Sequence, residues 1–198
     1  ATRLLETSLR VGTTDNDTPG NQIAVAPNGD VYVVGTTRGE FPAQTSKNYD
    51  DFFVAKFTKR GVNSWTKQYG GDGNDQGWGI ARATNGDLYV SVNTDSSNFP
   101  GGSLGPNGAY GKMDSALVRL NRNGVLQWGA QYGSNEDDWG WNVAVSGSNN
   151  MLSSCASVVS LLLPVESGAA IHDGSTGIAI VTAAIADSTT VWIGPLAT

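Results

Sequence analysis

The chain has 198 residues, enough to bury a core as one domain or one compact repeat array. Glycine supplies 26 residues and charged residues only 15%, while 39% hydrophobic content excludes a disordered chain. Net charge is −6, and all 12 Lys and Arg lie at or before Arg122, which excludes the basic stripe of a nucleic-acid binder.

Taken in chain order, residues 1–19 read as a leading strand, Leu4 to Val11, followed by an acidic loop at Asp15-Asn16-Asp17. The first unit covers residues 20–76. It opens with Ile23-Ala24-Val25-Ala26-Pro27-Asn28-Gly29-Asp30-Val31-Tyr32-Val33, two alternating segments around Asn-Gly. That pair predicts a type I′ hairpin, in which both turn residues take positive φ. A loop with Phe41-Pro42 follows, then a strand at Phe52 to Phe57, a turn at Arg60-Gly61 and a strand at Ser64 to Gly70.

The second unit covers residues 77–139 and repeats the first. Ile80 to Val90 copies Ile23 to Val33, displaced by 57, again around Asn85-Gly86. Phe99-Pro100, Ala116 to Leu120, Asn123-Gly124 and Gln127 to Gly133 then follow in the same order, the last displaced by 63. The third unit, residues 140–198, is degenerate. It opens at Asn142-Val143-Ala144-Val145, has Gly147 to Asn150 at the hairpin and Leu163-Pro164 in the loop, and ends with Ala179 to Trp192. Trp192 takes the place of Trp65 and Trp128, and residues 151–198 contain no Lys or Arg.

Short strands in a fixed order of four predict an all-β fold, a β-propeller-like array of about three four-stranded antiparallel blades. Three blades do not close a ring comfortably, so the array is closed by oligomerisation or belongs to a longer one. The pattern Ile-Ala-Val-x-x-Asn-Gly-Asp-Val-Tyr-Val-x-Gly, then Phe-Pro, then an aromatic-rich strand, resembles the bacterial β-propeller repeat family abbreviated SBBP. The run Gln68 to Gly77 is similar to that family's junction between repeats. The resemblance implies a repeat architecture in an exported or surface protein, and no particular activity. The start at Ala1 and the acidic, disulfide-free composition agree with secretion or cell-surface display by bacterial-type export.

Four sets of residues carry candidate chemistry. Acidic inter-repeat loops place Asp72, Asn74 and Asp75, and then Asp137 and Asp138, at the short spacing calcium ligands use, so calcium is the one cofactor they would take. The same residues serve turns, because Asp and Asn accept local backbone hydrogen bonds. Trp78, Trp139 and Trp141 stand where an acidic loop meets the next blade, and a flat ring beside polar acceptors suits a sugar. Packing between adjacent blades uses the same residues. Trp65, Trp128, Tyr69 and Tyr132 recur in register within strands and read as core.

Gly101-Gly102-Ser103-Leu104-Gly105 matches G-x-S-x-G, with the one histidine, His172, downstream of Asp114. That motif needs a strand-to-helix elbow, and Pro100 and Pro106 flank it instead. Cys155 stands alone, so no internal disulfide forms. With one histidine, one cysteine and no phosphate-cradling loop, a binding or structural module is expected, with glycan as a candidate ligand. The alternative is an esterase or glycosidase with a loop-lined pocket. No stretch of about 18 residues stays apolar, so no membrane insertion is expected. The uncharged final strands, such as Ile178 to Ile185, need cover from water, which predicts a homodimer or larger oligomer using residues 151–198.

Overall fold

The computed structural model describes residues 11–13, 20–45, 49–101, 112–132, 136–145, 151–156 and 179–181. Among them the chain is all-β. Sheet one is β1 (Gln22–Val25), β2 (Val31–Thr37), β3 (Asp51–Phe57) and β4 (Asn63–Tyr69). Sheet two is β5 (Asp75–Arg82), β6 (Leu88–Thr94), β7 (Asp114–Leu120) and β8 (Leu126–Tyr132). Both are antiparallel, with strands in sequence order. The described part of sheet three is β9 (Trp139–Val145), β10 (Met151–Ala156) and β11 (Ala179–Val181), in the order β11-β10-β9. The rest of the third repeat, including Trp192, lies outside the described residues, as does the leading segment before Val11.

The hairpins were expected to turn through type I′ pairs, and here the structure differs. Gly29 N–H donates to Ala26 C=O at 2.8 Å, and Ala26 N–H donates to Asp30 C=O at 2.8 Å. Gly29 takes φ +86°, whereas Asn28 does not take positive φ. The connection is therefore a three-residue loop, a turn through Pro27-Asn28 closed by a left-handed glycine. Proline suits the first corner through its fixed negative φ, but the second hairpin carries Thr84 there and makes the same turn, so the loop does not depend on proline. Asn28 accepts from the Asp30 N–H at 3.1 Å and donates its amide to the Asp30 carboxylate at 3.0 Å, a side-chain partner that Asp supplies. Ala83 to Asp87 repeats this, and the β3–β4 and β7–β8 turns close on Gly61 and Gly124, both at positive φ.

The sheets stack face to face. Tyr32, Val34, Phe52 and Val54 of sheet one meet Leu88, Val90, Val92, Val118 and Leu120 of sheet two in one core. Strand alternation then sends Tyr89 and Leu117 to the far face of sheet two, where they meet Val143 of β9. The first strands β1, β5 and β9 run side by side through the stack. At Gly79 a Cβ would lie 2.9 Å from Asn142 Cα, so only glycine lets β5 and β9 approach this closely. The described sheets form an open stack and do not close into a ring.

Candidate functional site

The junction between sheets one and two carries most of the buried polar side chains. Asp51 opens β3, Gln68 is the penultimate residue of β4 and Asp75 opens β5. Gln68 Nε2 donates to Asp51 Oδ2 at 2.8 Å and to Gly39 C=O at 2.9 Å, while its Oε1 accepts from Phe41 N–H at 3.1 Å. Asp75 N–H crosses to Asp50 C=O at 2.6 Å. Its Oδ2 accepts from Gly71 N–H at 2.6 Å and Ser96 Oγ at 2.8 Å. Burial pushes the Asp75 carboxyl up to about 6, against the lowering effect of donors Thr94, Gly71 and Ser96.

The arrangement is duplicated. Gln131 Nε2 donates to Asp114 Oδ2 at 2.8 Å, and Asp138 N–H donates to Met113 C=O at 2.6 Å. Asp51, Asp75, Asp114 and Asp138 are all essentially inaccessible to solvent. Of this set, Asp75 and Asp138 were singled out from the sequence as calcium ligands and Asp114 as the acid of a hydrolase reading, none of them as a junction brace. Their partners lie on other strands, yet all three positions recur 63 apart (Asp51 and Asp114, Gln68 and Gln131, Asp75 and Asp138), a signal that could have found them. Gln68→Ala removes three hydrogen bonds at once and is expected to lower stability by about 2 kcal/mol, read from urea unfolding. An unchanged midpoint would mean that the junction contributes nothing to the fold.

The expected calcium ligands point to different protein partners. Asp72 accepts from Ser97 Oγ at 2.5 Å and from Ser97 N–H at 2.7 Å. The hydroxyl bond, ahead of the backbone ones, holds its carboxyl below the usual range. Asn74 Nδ2 donates to Asp95 at 2.9 Å, and exposed Asp137 accepts from Met113 N–H at 3.3 Å. These bonds stitch the inter-repeat loop to the loop after β6. Among the described residues no group of three or more His, Cys, Asp or Glu is placed to hold a metal ion.

Two of the three candidate tryptophans come together. The β5–β6 register passes from Gly77 opposite Val92 to Gly79 opposite Ser91, which leaves Trp78 as a bulge residue. The β9–β10 register skips Trp141 in the same way. Bulges re-aim side chains, and here the two rings meet edge to face at 5.0 Å between centroids. Trp78 is half-buried and Trp141 is 50% exposed. Trp139, half-buried on β9, makes no ring contact with them among the described residues. Trp65 and Trp128, expected in the core, are half-buried at its edge and pack on Tyr32 and Tyr89 at 6.0 and 6.2 Å. Ser103 and His172 lie outside the described residues, and Cys155 lies on β10.

No family model matches the chain. The Regulatory protein FlaEY of Caulobacter vibrioides is 30% identical over 156 residues, which cover 73% of this chain. The chain spans only 16% of the length of that relative, so the similarity is to one part of a much longer protein.

Proposed function

We propose that the chain is an exported binding and structural module, an array of propeller-type units completed by a second copy of itself. The outer face of the first sheet supports this reading. Phe41, Phe53, Ala55 and Phe57 form a separate apolar cluster there, with Val11 and Val33 packed against it. Each has a counterpart between sheets one and two: Phe99, Ala116, Val118, Leu120, Tyr69 and Val90. Val11 thus stands where the last strand of a preceding unit would end, but the other strands of such a unit are not among the described residues. The two faces differ in exposure. Ile80 is 3% exposed under sheet one, whereas Ile23 at the matching position is 60% exposed and Val25 is 61% exposed.

A second copy that meets this face with residues 151–198 of its third unit, whose uncharged strands need cover, would complete the array. Two chains of three units then make a closed set of six. Light scattering is expected to give twice the 20.7 kDa of one chain. The double substitution Ile23→Asp, Val25→Asp is expected to give a folded monomer, because it places charges on the shared apolar face. A native chain that stays monomeric at micromolar concentration rejects this assembly.

A glycan is the second reading. The half-exposed Trp141 ring, braced edge-on by Trp78 and flanked by exposed Asn142, offers a flat apolar surface with a polar neighbour. Hits on a glycan array that vanish with Trp141→Ala support it. An array without hits removes it.

A further inference from the structure

A cleft of about 310 Å³ opens where the hairpin ends of sheets one and two meet, lined among others by Asn28, Tyr32, Lys56, Arg82, Arg122 and Asn123. It lies at the far end of β5 from Asp75 and does not involve the tryptophan pair. Three cations converge there in a chain whose net charge is −6. One of them is already committed. Lys56 Nζ pairs with Asp30 at 3.0 Å, and the second sheet repeats that bridge as Arg119 on Asp87 at 2.6 Å. It is an internal brace of each sheet.

Arg82 and Arg122 are different. Neither forms an ion pair with any acid among the described residues, although the same sheets hold four such pairs elsewhere. Arg82 Nη1 donates to its neighbour's carbonyl, Ala83 C=O, at 3.0 Å, while Arg82 Nε is buried with no hydrogen-bond partner. The two side chains arrive at one spot, since a Cβ on Gly86 would lie 3.3 Å from both Arg82 Nη2 and Arg122 Cβ. Arg82 also departs from the repeat, because the first unit carries Val25 at the matching place. Nothing in the sheet's own construction calls for a cation there. Two arginines that line one cleft, one with a desolvated donor, are stabilised by an anion bound there.

We propose that this cleft binds the oxyanion group, a carboxylate, sulfate or phosphate, of a small ligand, through Arg82 and Arg122. Arg82 presents the planar fork from within the cleft and exposed Arg122 closes on the same group. Asn28, Asn123 and Tyr32 line part of the remainder, together with the Asp30 carboxylate, which is held by Lys56 and by the Asn28 amide at 3.0 Å each. The volume suits a ligand of about one sugar ring.

Isothermal titration calorimetry at low ionic strength tests this, with sulfate, glucuronate and uncharged glucose as the probes. Sulfate and glucuronate are expected to bind, and glucose is not. Arg82→Val installs the residue of the first unit and is expected to weaken both anions about tenfold or more, as loss of a charge-assisted bond implies. Arg122→Gln, at an exposed position that the fold does not depend on, is expected to weaken them similarly and decides the matter if Arg82→Val unfolds. Absence of binding by both anions, equal binding of glucose, or full binding in both variants overturns the proposal.

Discussion

The protein is expected to gain stability as the pH falls from about 7.5 toward 4.5, the reverse of ordinary acid denaturation. The cause is Asp75, whose carboxyl is raised to about 6 in the fold by burial, with the neighbouring Asp51 adding a smaller like-charge effect. In the unfolded chain the same group titrates near the usual value, about 3.9. Between these values the folded state holds the proton and the unfolded state does not, so lowering the pH favours folding. The contribution is fully present below about 3.9 and is lost as the pH rises through about 6. One pKa unit corresponds to about 1.4 kcal/mol, so the gain is about 1.4 kcal/mol at pH 5 and about 2 kcal/mol at pH 4.5. Asp30 and Asp72 act the other way. Hydrogen bonds from Lys56 and Ser97 respectively lower their carboxyls, so the stability they lend is lost only at still lower pH.

Asp75→Asn separates this effect from all others. The amide oxygen keeps the acceptor for Gly71 and Ser96 while the charge is gone. The variant is expected to be about 1–2 kcal/mol more stable than the native chain at pH 7.5 and to lose the slope between pH 6 and 4.5. Urea midpoints across that range measure both. A native slope retained in Asp75→Asn would assign the titration to another group.

Much of the fold was legible because it is written in local, repeated signals. Alternation around Asn-Gly placed β1, β2, β5 and β6, and the in-register Trp65 and Trp128 placed the outer strands and a share of the core. The turn type was not, because Asn-Gly suits both a two-residue type I′ turn and a three-residue loop with glycine at its left-handed corner, and loop length is fixed by which strand residues pair. The bulges at Trp78 and Trp141 depend on which residue of the partner strand is skipped, a property of pairing that no single strand carries. For the same reason the acidic loops read as metal ligands. Asp72, Asn74 and Asp75 are neighbours in sequence, but the fold directs them to Ser97, Asp95 and Ser96 on another loop. The Arg82–Arg122 cleft was invisible on both counts, since it arises only where two hairpin ends meet in the stack.

Phe52→Ala is expected to cost the most of any single substitution here, about 3–5 kcal/mol, as loss of a fully buried aromatic ring does. Phe52 is fully buried and lies between sheets, its ring 5.6 Å from Tyr69 of its own sheet and 6.4 Å from Phe99 of the second unit. The cavity therefore opens in the contact that holds the stack together, and both faces lose packing at once. Tyr69 is tied there independently, donating its hydroxyl to Gly124 C=O at 2.5 Å, so the site cannot collapse by moving that ring inward. Val62→Ala, at a turn residue that is 61% exposed, is the matched control and is expected to change stability by less than about 0.5 kcal/mol. Urea unfolding followed by fluorescence, in two backgrounds that keep only Trp65 or only Trp128 of the six tryptophans, reads the two sheets separately. If stacking is the main source of stability, Phe52→Ala moves both signals together to a lower midpoint, because neither sheet keeps its buried face without the other. A loss confined to sheet one, or no larger than that of Val62→Ala, would mean that each sheet is stable by itself and that the stack is only a contact between independent units.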